Sequence, residues 1–238
     1  ESLWFTQENY VTRRFVFSSK AIAMLKEKVR RHFKSKVSSV ETVTSFIWKC
    51  FMDASKAATN GASRPSILVE AVNLRTRTKP LMSNNSIGDI FWWATALSNP
   101  TDSNTELHDL VGLLNEAITL YDGDFTVSLQ GEEGFETLSG YFDQMEGLFA
   151  SEKPDIIAFT CWSHLGLTKL NFGWGEPFWF GVMGKVGPAF RNLTVLIETK
   201  DGRGIEAWVT LDARRMTIFE RHPDLLAISS SNPIFSTL

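Results

Sequence analysis

The sequence lacks a long apolar run, an excess of positive charge and a large set of cysteines. No stretch of about 18 apolar residues occurs, and the mean hydropathy is −0.08, so we expect no transmembrane helix. The 24 lysines and arginines are balanced by 27 aspartates and glutamates. The net charge of −3 argues against a nucleic-acid or polybasic membrane-binding protein. Basic residues cluster once, over Lys26–Lys36, where a helical pattern that includes Glu27 favours a solvated helix face.

Only two cysteines are present, and both lie in apolar stretches. This placement of Cys50 and Cys161 predicts buried free thiols rather than a disulfide framework. The first ten residues contain no basic region followed by an apolar one, so we expect no signal peptide. The glycosylation sequons at Asn84 and Asn192 are therefore interpreted as chance matches. These features together predict a cytoplasmic protein.

Motifs for metal, nucleotide and nucleophile chemistry are also missing. The four histidines have no His or Cys partner four residues away, which argues against a metal site: His32, His108, His164 and His222. None of them begins H-x-x-x-D, since the fifth positions are Lys36, Gly112, Thr168 and Leu226. There is no phosphate-binding P-loop and no G-x-S-x-G. The G-x-G-x-x-A match at 202–207 lies between two predicted strands, where no helix start is available for a pyrophosphate.

The pattern of apolar residues predicts one α/β domain with a mixed sheet. Helices are predicted over Lys20–Phe33, from Ser38 toward Ala57, and over Thr105–Leu120, Gly134–Phe149 and Asp212–Leu226. Strands are predicted over Val11–Phe17, Ser66–Leu74, Ile156–Trp162, Leu167–Phe172, Pro177–Gly184, Asn192–Thr199 and Ile205–Leu211, with a further apolar run over Ile87–Leu97. The chain contains no internal repeat and no linker that would divide it.

Two local signals are specific enough to predict detailed geometry. Ser38-Ser39-Val40-Glu41 has the spacing of a capping box, in which a hydroxyl and a carboxylate satisfy two free backbone N–H groups at a helix start. Asp201-Gly202 between two strand patterns predicts a β-hairpin.

The most distinctive stretch is Asn171-Phe172-Gly173-Trp174-Gly175-Glu176-Pro177. Glycines on both sides of a tryptophan let the backbone approach another group closely while the indole packs beneath it. A tight turn beside a core tryptophan is the alternative interpretation.

Six segments in order, between about Val11 and Phe235, resemble the C-terminal half of the plant BAHD acyltransferases. They are VTRRFVF, SSVETVTSFIWKC, VNLRTR, NNSIGDIFWWA, NFGWGEP, and EAWVTL with the closing FERHPDLLAISSSNP. The last segment looks most like the vinorine synthase branch, which acetylates alkaloids. The resemblance implies one domain of a two-domain chloramphenicol-acetyltransferase-like fold, with an active-site channel between the domains. Residues 1–238 would form the C-terminal domain, with 1–10 in the interdomain crossover.

The resemblance also implies a reaction. A histidine of an H-x-x-x-D motif removes the proton of an acceptor hydroxyl, which attacks the thioester of acyl-CoA. That motif belongs to the N-terminal half, so no catalytic residue is expected in this chain. The expected donor is a short acyl-CoA such as acetyl-CoA, and the acceptor is a plant specialised metabolite. Expected partners are the N-terminal half and the small-molecule alcohol, without nucleic acid, membrane or metal, in an enzyme that is monomeric once assembled. The alternative is a non-catalytic module that binds CoA or a protein.

The family motifs also suggest site residues. Lys36, Ser38 and Ser39 match a segment that lies along CoA, although helix capping alone would explain the serines. Trp174 and Gly175 are expected beside CoA as well.

In the family, the aspartate that begins the D-F-G-W-G motif pairs with an arginine of the V-N-x-R segment. Here that arginine is Arg75, with Arg77 as the alternative, and the aspartate is replaced by Asn171. The charge-assisted pair is then lost, but an amide oxygen can still accept a hydrogen bond. The motif, Asn171 through Gly175, is expected to be structural.

The acceptor pocket is expected at Trp162, His164 and Trp93. Some relatives place an arginine at the position of His164 to hold an acidic acceptor, so a strongly anionic acceptor is not expected. His164 as a plain sheet-surface residue is the alternative. The family's usual Gly-Asn is Gly88-Asp89 in this chain.

Overall fold

A single mixed sheet organises the fold. The computed structural model describes residues 9–34, 36–83, 85–99, 105–163, 165–182 and 191–231, without the side chains of 148–152. Within these ranges the strands are β1 (Tyr10–Phe17), β2 (Ser66–Asn73), β3 (Phe91–Ser98), β4 (Asp155–Cys161), β5 (Leu193–Glu198), β6 (Ile205–Asp212) and β7 (Ser230–Ser231). The helices are α1 (Ser19–Arg30), α2 (Ser39–Ala58), α3 (Leu107–Thr119), α4 (Gly123–Ser128), α5 (Glu132–Glu152), α6 (Ala213–Phe219) and α7 (Pro223–Ile228).

The strands lie in the order β3-β2-β4-β5-β6-β1-β7. The centre is parallel, because β2 pairs with β4 and β4 pairs with β5 in the same direction. Every other pairing is antiparallel, and β1 lies between β6 and β7. The predicted α/β class with a mixed sheet is therefore confirmed.

Helices α1, α2, α3 and α6 pack together on one face of this sheet. The apolar positions of α2 are fully buried at this interface, among them Phe46, Ile47 and Phe51. Alternate residues of the strands point into the same core, as Phe15 and Phe17 of β1 do. In the described parts of the chain, no helix is both long and apolar enough to cross a membrane.

The opposite face carries a buried ion pair between aromatic rings. Arg14 Nη1 lies 3.4 Å from Glu206 Oε2, and both side chains are almost fully buried. The Arg14 guanidinium is 5.7 Å from the centre of the Trp179 ring and 5.9 Å from that of Trp208. Trp179 therefore anchors the segment after the Asn171–Pro177 motif to the face away from the helices.

The predicted capping box at the start of α2 is confirmed. Ser38 Oγ accepts a hydrogen bond from the Glu41 backbone N at 3.0 Å, and Glu41 Oε2 accepts one from the Ser38 backbone N at 2.8 Å. The predicted hairpin also forms, with β5 and β6 antiparallel and joined by the Asp201-Gly202 turn. The G-x-G-x-x-A match at 202–207 lies in this hairpin, as the sequence indicates.

Three predicted elements are wrong. The strand predicted over Leu167–Phe172 is a single 3-10 turn (Leu167–Lys169) followed by an irregular segment. The described part of the strand predicted over Pro177–Gly184 is irregular as well, and residues 183–190 lie outside the described ranges. The last predicted helix divides into α6 and α7, because Pro223 cannot donate to the preceding turn and instead begins α7.

Replacing Ser38 with alanine is expected to destabilise the protein by about 1 kcal/mol, because the Glu41 N–H loses its acceptor. Ser39→Ala is the matched control, since no described residue hydrogen-bonds the Ser39 hydroxyl. Urea unfolding of the two variants measures the difference. Equal stability of the two variants would contradict this assignment of the cap.

Candidate functional site

The candidate residues collect at the edge where β2 and β4 end. The two strands are parallel, so Arg75 and Trp162, which follow them, lie at the same sheet edge. Strand β3 runs the other way and begins there, with Phe91 opposite Asn73 and Trp93 opposite Ala71. The structure therefore brings together Arg75, Trp93 and Trp162 from separate segments.

The start of α2 lies over this same edge. Trp48 Nε1 donates to Ser66 Oγ at 2.9 Å, which fixes the middle of α2 above the beginning of β2. Two turns before Trp48, the Glu41 charge acts on Glu70, which lies four residues after Ser66 along β2. Helix α2 thus runs antiparallel to β2, and its first residues point toward the carboxyl ends of the parallel strands.

Phe91 and Trp93 alternate with the core residue Trp92, so they lie on the sheet face opposite the core helices. Trp92 is buried in the core, whereas its neighbours Phe91 and Trp93 are 39% and 40% exposed. The Phe91 and Trp93 rings meet edge to face with centroids 5.3 Å apart. Together they present an apolar, aromatic surface at the sheet edge.

The turn after β4 carries the next predicted pocket residues. Trp162 is half-buried, and its backbone N donates to the Leu196 carbonyl at 2.8 Å. Behind it, the Cys161 thiol donates to Ser163 Oγ at 3.2 Å. Burial raises the pKa of Cys161, so this thiol stays protonated. His164 lies outside the described residues, so its predicted pocket role stays a prediction.

Arg75 holds its own loop rather than the Asn171–Pro177 motif. Its Nη2 donates to the carbonyls of Ser86 at 3.2 Å and Gly88 at 2.6 Å. The alternative, Arg77, donates from Nη1 to the carbonyls of Ile118 and Tyr121 at 2.8 Å each. Both guanidinium groups are therefore committed to backbone oxygens.

Asn171 is satisfied within its own turn. Its Oδ1 accepts hydrogen bonds from the backbone N of Gly173 at 2.9 Å and of Gly175 at 3.3 Å. The expected bond between Asn171 and Arg75 or Arg77 is absent from the described residues. The physical reason is that a neutral amide has no charge to attract a guanidinium away from carbonyls, while two glycine N–H groups lie next to it.

The turn displays its aromatic residues instead of burying them. Gly173 and Gly175 have φ values of 101° and 114°, which only glycine adopts readily. Phe172 and Trp174 are 70% and 84% exposed, and their rings stack with centroids 5.6 Å apart. The alternative of a turn beside a core tryptophan is therefore wrong for Trp174, although the turn itself is present.

The predicted CoA segment has free polar groups at a helix start. Lys36 is exposed, and no described residue forms an ion pair with it. The Ser39 hydroxyl makes no hydrogen bond to a described residue, whereas the Ser38 hydroxyl is used by the capping box. Both interpretations of this segment are compatible with the geometry, because capping occupies Ser38 and leaves Lys36 and Ser39 available.

Glu70 is an unusual residue that was not among the predicted site residues. It lies on β2 within an otherwise apolar strand and is 5% exposed. Its burial, and then the negative charge of Glu41, raise the pKa of Glu70 to about 8. A single glutamate inside the run SILVEAVNL was the available signal, since a carboxylate there must be buried on either face of a central strand.

Neither cysteine is paired, as predicted: Cys50 is buried and Cys161 is half-buried. Within the described ranges, no group of three or more His, Cys, Asp or Glu side chains lies close enough to hold a metal ion.

Comparison with solved structures identifies the fold. Vinorine synthase superposes with a TM-score of 0.73 and 30% identity, covering 93% of this chain and 48% of that one. The TRI101 protein of F. graminearum, crystallised with coenzyme A and deoxynivalenol, superposes with a TM-score of 0.69 at 17% identity, which shows the fold alone. The superposition covers 96% of this chain and 51% of the F. graminearum chain. The domain is of the chloramphenicol-acetyltransferase-like class.

Sequence comparison gives the family. The model described as the Transferase family matches residues 4–226. The chain is 41% identical to epi-neemfruitin B 7-O-acetyltransferase of Melia azedarach, over 94% of this chain and 49% of that protein. It is 37% identical to limonoid 7-O-acetyltransferase of Citrus sinensis, over 97% of this chain and 51% of that protein. The chain belongs to this family, the BAHD acyltransferases, and spans about half the length of the curated relatives it matches.

Replacing Asn171 with alanine is expected to loosen the turn, because the Gly173 and Gly175 N–H groups lose their shared acceptor. Hydrogen exchange of these two amides should accelerate about fivefold, as expected for a loss of about 1 kcal/mol. Asn171→Asp is the matched variant, since its carboxylate still accepts both bonds. Unchanged exchange in the alanine variant would contradict this role.

Glu70 is expected to make stability depend on pH. Its pKa is raised to about 8 from 4.5, so the folded state holds one proton more than the unfolded state between these values. The free energy of unfolding therefore decreases as the pH rises from about 5 to about 8, by up to about 1.4 kcal/mol per pH unit. Above about pH 8, Glu70 adds no further change.

Urea unfolding at pH 5.5, 7.0 and 8.5 measures this dependence. Glu70→Gln should remove this part of the slope, whereas Glu116→Gln, at an exposed site on α3, should keep it. The same slope in Glu70→Gln and in the unmodified protein would be inconsistent with a buried, protonated Glu70.

Proposed function

We propose that this chain is the C-terminal domain of an acyl-CoA-dependent O-acyltransferase that acetylates a hydroxyl of a plant specialised metabolite. The observation that carries the proposal is 41% and 37% identity, along almost the whole chain, to two 7-O-acetyltransferases. One of them is named for limonoids. A limonoid-type alcohol is accordingly the proposed acceptor, and acetyl-CoA the proposed donor.

The proposed catalytic base lies on an N-terminal half that carries H-x-x-x-D. Its imidazole takes the proton of the acceptor hydroxyl as the oxygen attacks the thioester carbonyl. Hydrogen-bond donors stabilise the resulting oxyanion. When the C–S bond breaks, the proton passes to sulfur and CoA leaves as a thiol. The sequence supports this division, because none of the four histidines has an aspartate four residues later.

The proposed contribution of this domain to CoA binding is at the start of α2. The Lys36 ammonium and the Ser39 hydroxyl are available there, and the first N–H groups of a 20-residue helix favour an anion. A phosphate of CoA has the charge and the acceptor oxygens that fit these donors.

The proposed acceptor wall consists of Phe91, Trp93 and Trp162. Their exposed and half-buried rings suit a large uncharged ring system, because flat apolar surface is released from water on contact. Arg75, which follows β2 at this edge, is engaged by the Ser86 and Gly88 carbonyls. This supports a neutral acceptor over an anionic one.

Exposed apolar side chains support a partner domain. Ile87 is fully exposed, and Phe172, Trp174 and Phe178 are each at least 70% exposed. Large apolar surface of this kind is typical of protein interfaces. An N-terminal half that packs here would cover it and complete the channel.

The experiment begins with native mass spectrometry of the purified protein, with and without a co-expressed N-terminal half of a relative. Acetyl transfer from acetyl-CoA to a limonoid alcohol is then measured. Turnover by the two halves together supports the proposal. The non-catalytic alternative would be favoured if the soluble 26.8 kDa chain binds CoA but gives no turnover, both alone and together with the N-terminal half.

In the assembled enzyme, Lys36→Ala is expected to raise KM for acetyl-CoA about fivefold, equivalent to about 1 kcal/mol for one lost charge-assisted contact. The value of kcat should change little, because Lys36 does not touch the reacting atoms in this proposal. Lys34→Ala, which removes an equally exposed lysine two residues earlier, is the control. Equal effects of the two substitutions would count against the proposed CoA contact.

A further inference from the structure

Glu70 is an isolated carboxyl beneath the first turns of α2. On β2 it shares the helix-facing side with Leu68 and Val72, and its neighbours across the sheet are the buried Ala94 and Phe159. Its Oε2 is completely enclosed and has no hydrogen-bond partner among the described residues. A charge at this position would have no compensating group within the sheet.

The titratable groups around Glu70 come from three elements. Glu41 faces it from α2, and the Cys161 thiol faces it from β4. Lys26 of α1 acts on Glu41 rather than on Glu70. The neighbour on β3, Ala94, does not titrate. Glu41 is therefore the group whose negative charge opposes the ionisation of Glu70 most directly.

Glu41 cannot move away from Glu70 without cost. Its Oε1 accepts from Asn115 Nδ2 of α3 at 2.8 Å, and its Oε2 accepts from the Ser38 backbone N at 2.8 Å. Burial raises the pKa of Glu41, but the hydrogen bonds from Ser38 and Asn115 outweigh it and hold that pKa below its usual range. Glu41 is thus ionised while Glu70 carries a proton.

We propose that Glu70 is a positioning residue whose neutral carboxyl lets Glu41 hold the first turn of α2 in its acyl-CoA-binding shape, so that loss of the Glu70 proton weakens binding. An ionised Glu70 would repel the Glu41 carboxylate, and the Glu41 bonds to Ser38 and Asn115 are the contacts that yield. Ser39 and Lys36 then shift with the helix start. The inference rests on the proposed function, because it takes this segment as a CoA contact.

The test is the dissociation constant for acetyl-CoA between pH 6.5 and 9.5, measured by calorimetry on the two-domain protein. Acetyl-CoA has no thiol to ionise in this range. With the pKa of Glu70 at about 8, binding should weaken about tenfold from pH 7 to pH 9. Glu70→Gln should bind with little pH dependence, and the control Glu116→Gln should behave like the unmodified protein.

Two results would overturn the proposal: pH-independent binding by the unmodified protein, or an unchanged alkaline loss in Glu70→Gln. If Glu70→Gln does not fold, Glu41→Gln provides the second variant. It removes the charge that an ionised Glu70 would repel, so the alkaline loss of binding should be abolished or strongly reduced. An alkaline loss of unchanged size in Glu41→Gln would also contradict the proposal.

A second readout separates this inference from the proposed function. Hydrogen exchange of the Ser38 and Glu41 amides, corrected for its intrinsic pH dependence, should accelerate with a midpoint near pH 8 only when Glu70 is present. If acetyl-CoA does not bind at any pH but this transition occurs, the proposed function fails while the coupling from Glu70 to α2 holds. If acetyl-CoA binds tightly but the transition is absent, the proposed CoA contact is supported while the coupling from Glu70 to α2 fails.

Discussion

The position of α2 across the sheet determines the rest of the domain. A 20-residue helix is about 30 Å long, so it reaches from the beginning of the central strands to their carboxyl ends. The Trp48–Ser66 hydrogen bond fixes its register against β2, and the reciprocal bonds of Ser38 and Glu41 define where it begins. The other core helices pack around α2, and the candidate site lies beside its first turn.

Features with a local cause were predictable from the sequence. The capping box and the hairpin depend on residues within five positions of one another, and both form as expected. Most strands were also predicted, because their apolar residues alternate or run together. The segment after β4 was not, since its aromatic and β-branched residues are typical of strands while its glycines adopt left-handed backbone conformations.

The site was less predictable, because it depends on contacts between distant segments. The sequence indicated that Arg75 and Asn171 matter but not that each would find different partners. Glu70 was hidden in an apolar pattern, and its raised pKa results first from burial and then from the charge of Glu41, 29 positions earlier in the chain. Exposure of Phe172 and Trp174 likewise follows from tertiary packing and not from residue type.

Asn171 and Arg75, which the family resemblance predicts to form a pair, belong to two separate hydrogen-bond networks. Asn171 organises its own turn through backbone N–H groups, and Arg75 organises the loop before β3 through carbonyls. Neither network needs the other. Substitution at Asn171 therefore affects the shape of one turn without disturbing the arginine.

The place of β1 between β6 and β7 has a consequence for biosynthesis. β1 is translated before β6, and its registry partners there, from Tyr10 with Asp212 to Phe17 with Ile205, are about 190 to 200 residues away. During translation, Phe15 and Phe17 therefore leave the ribosome long before β6, the strand that pairs with β1, exists. Closing so long a loop is slow relative to local folding. Until β6 has been translated, β1 lacks this partner, and its apolar side chains are open to contacts outside the native fold.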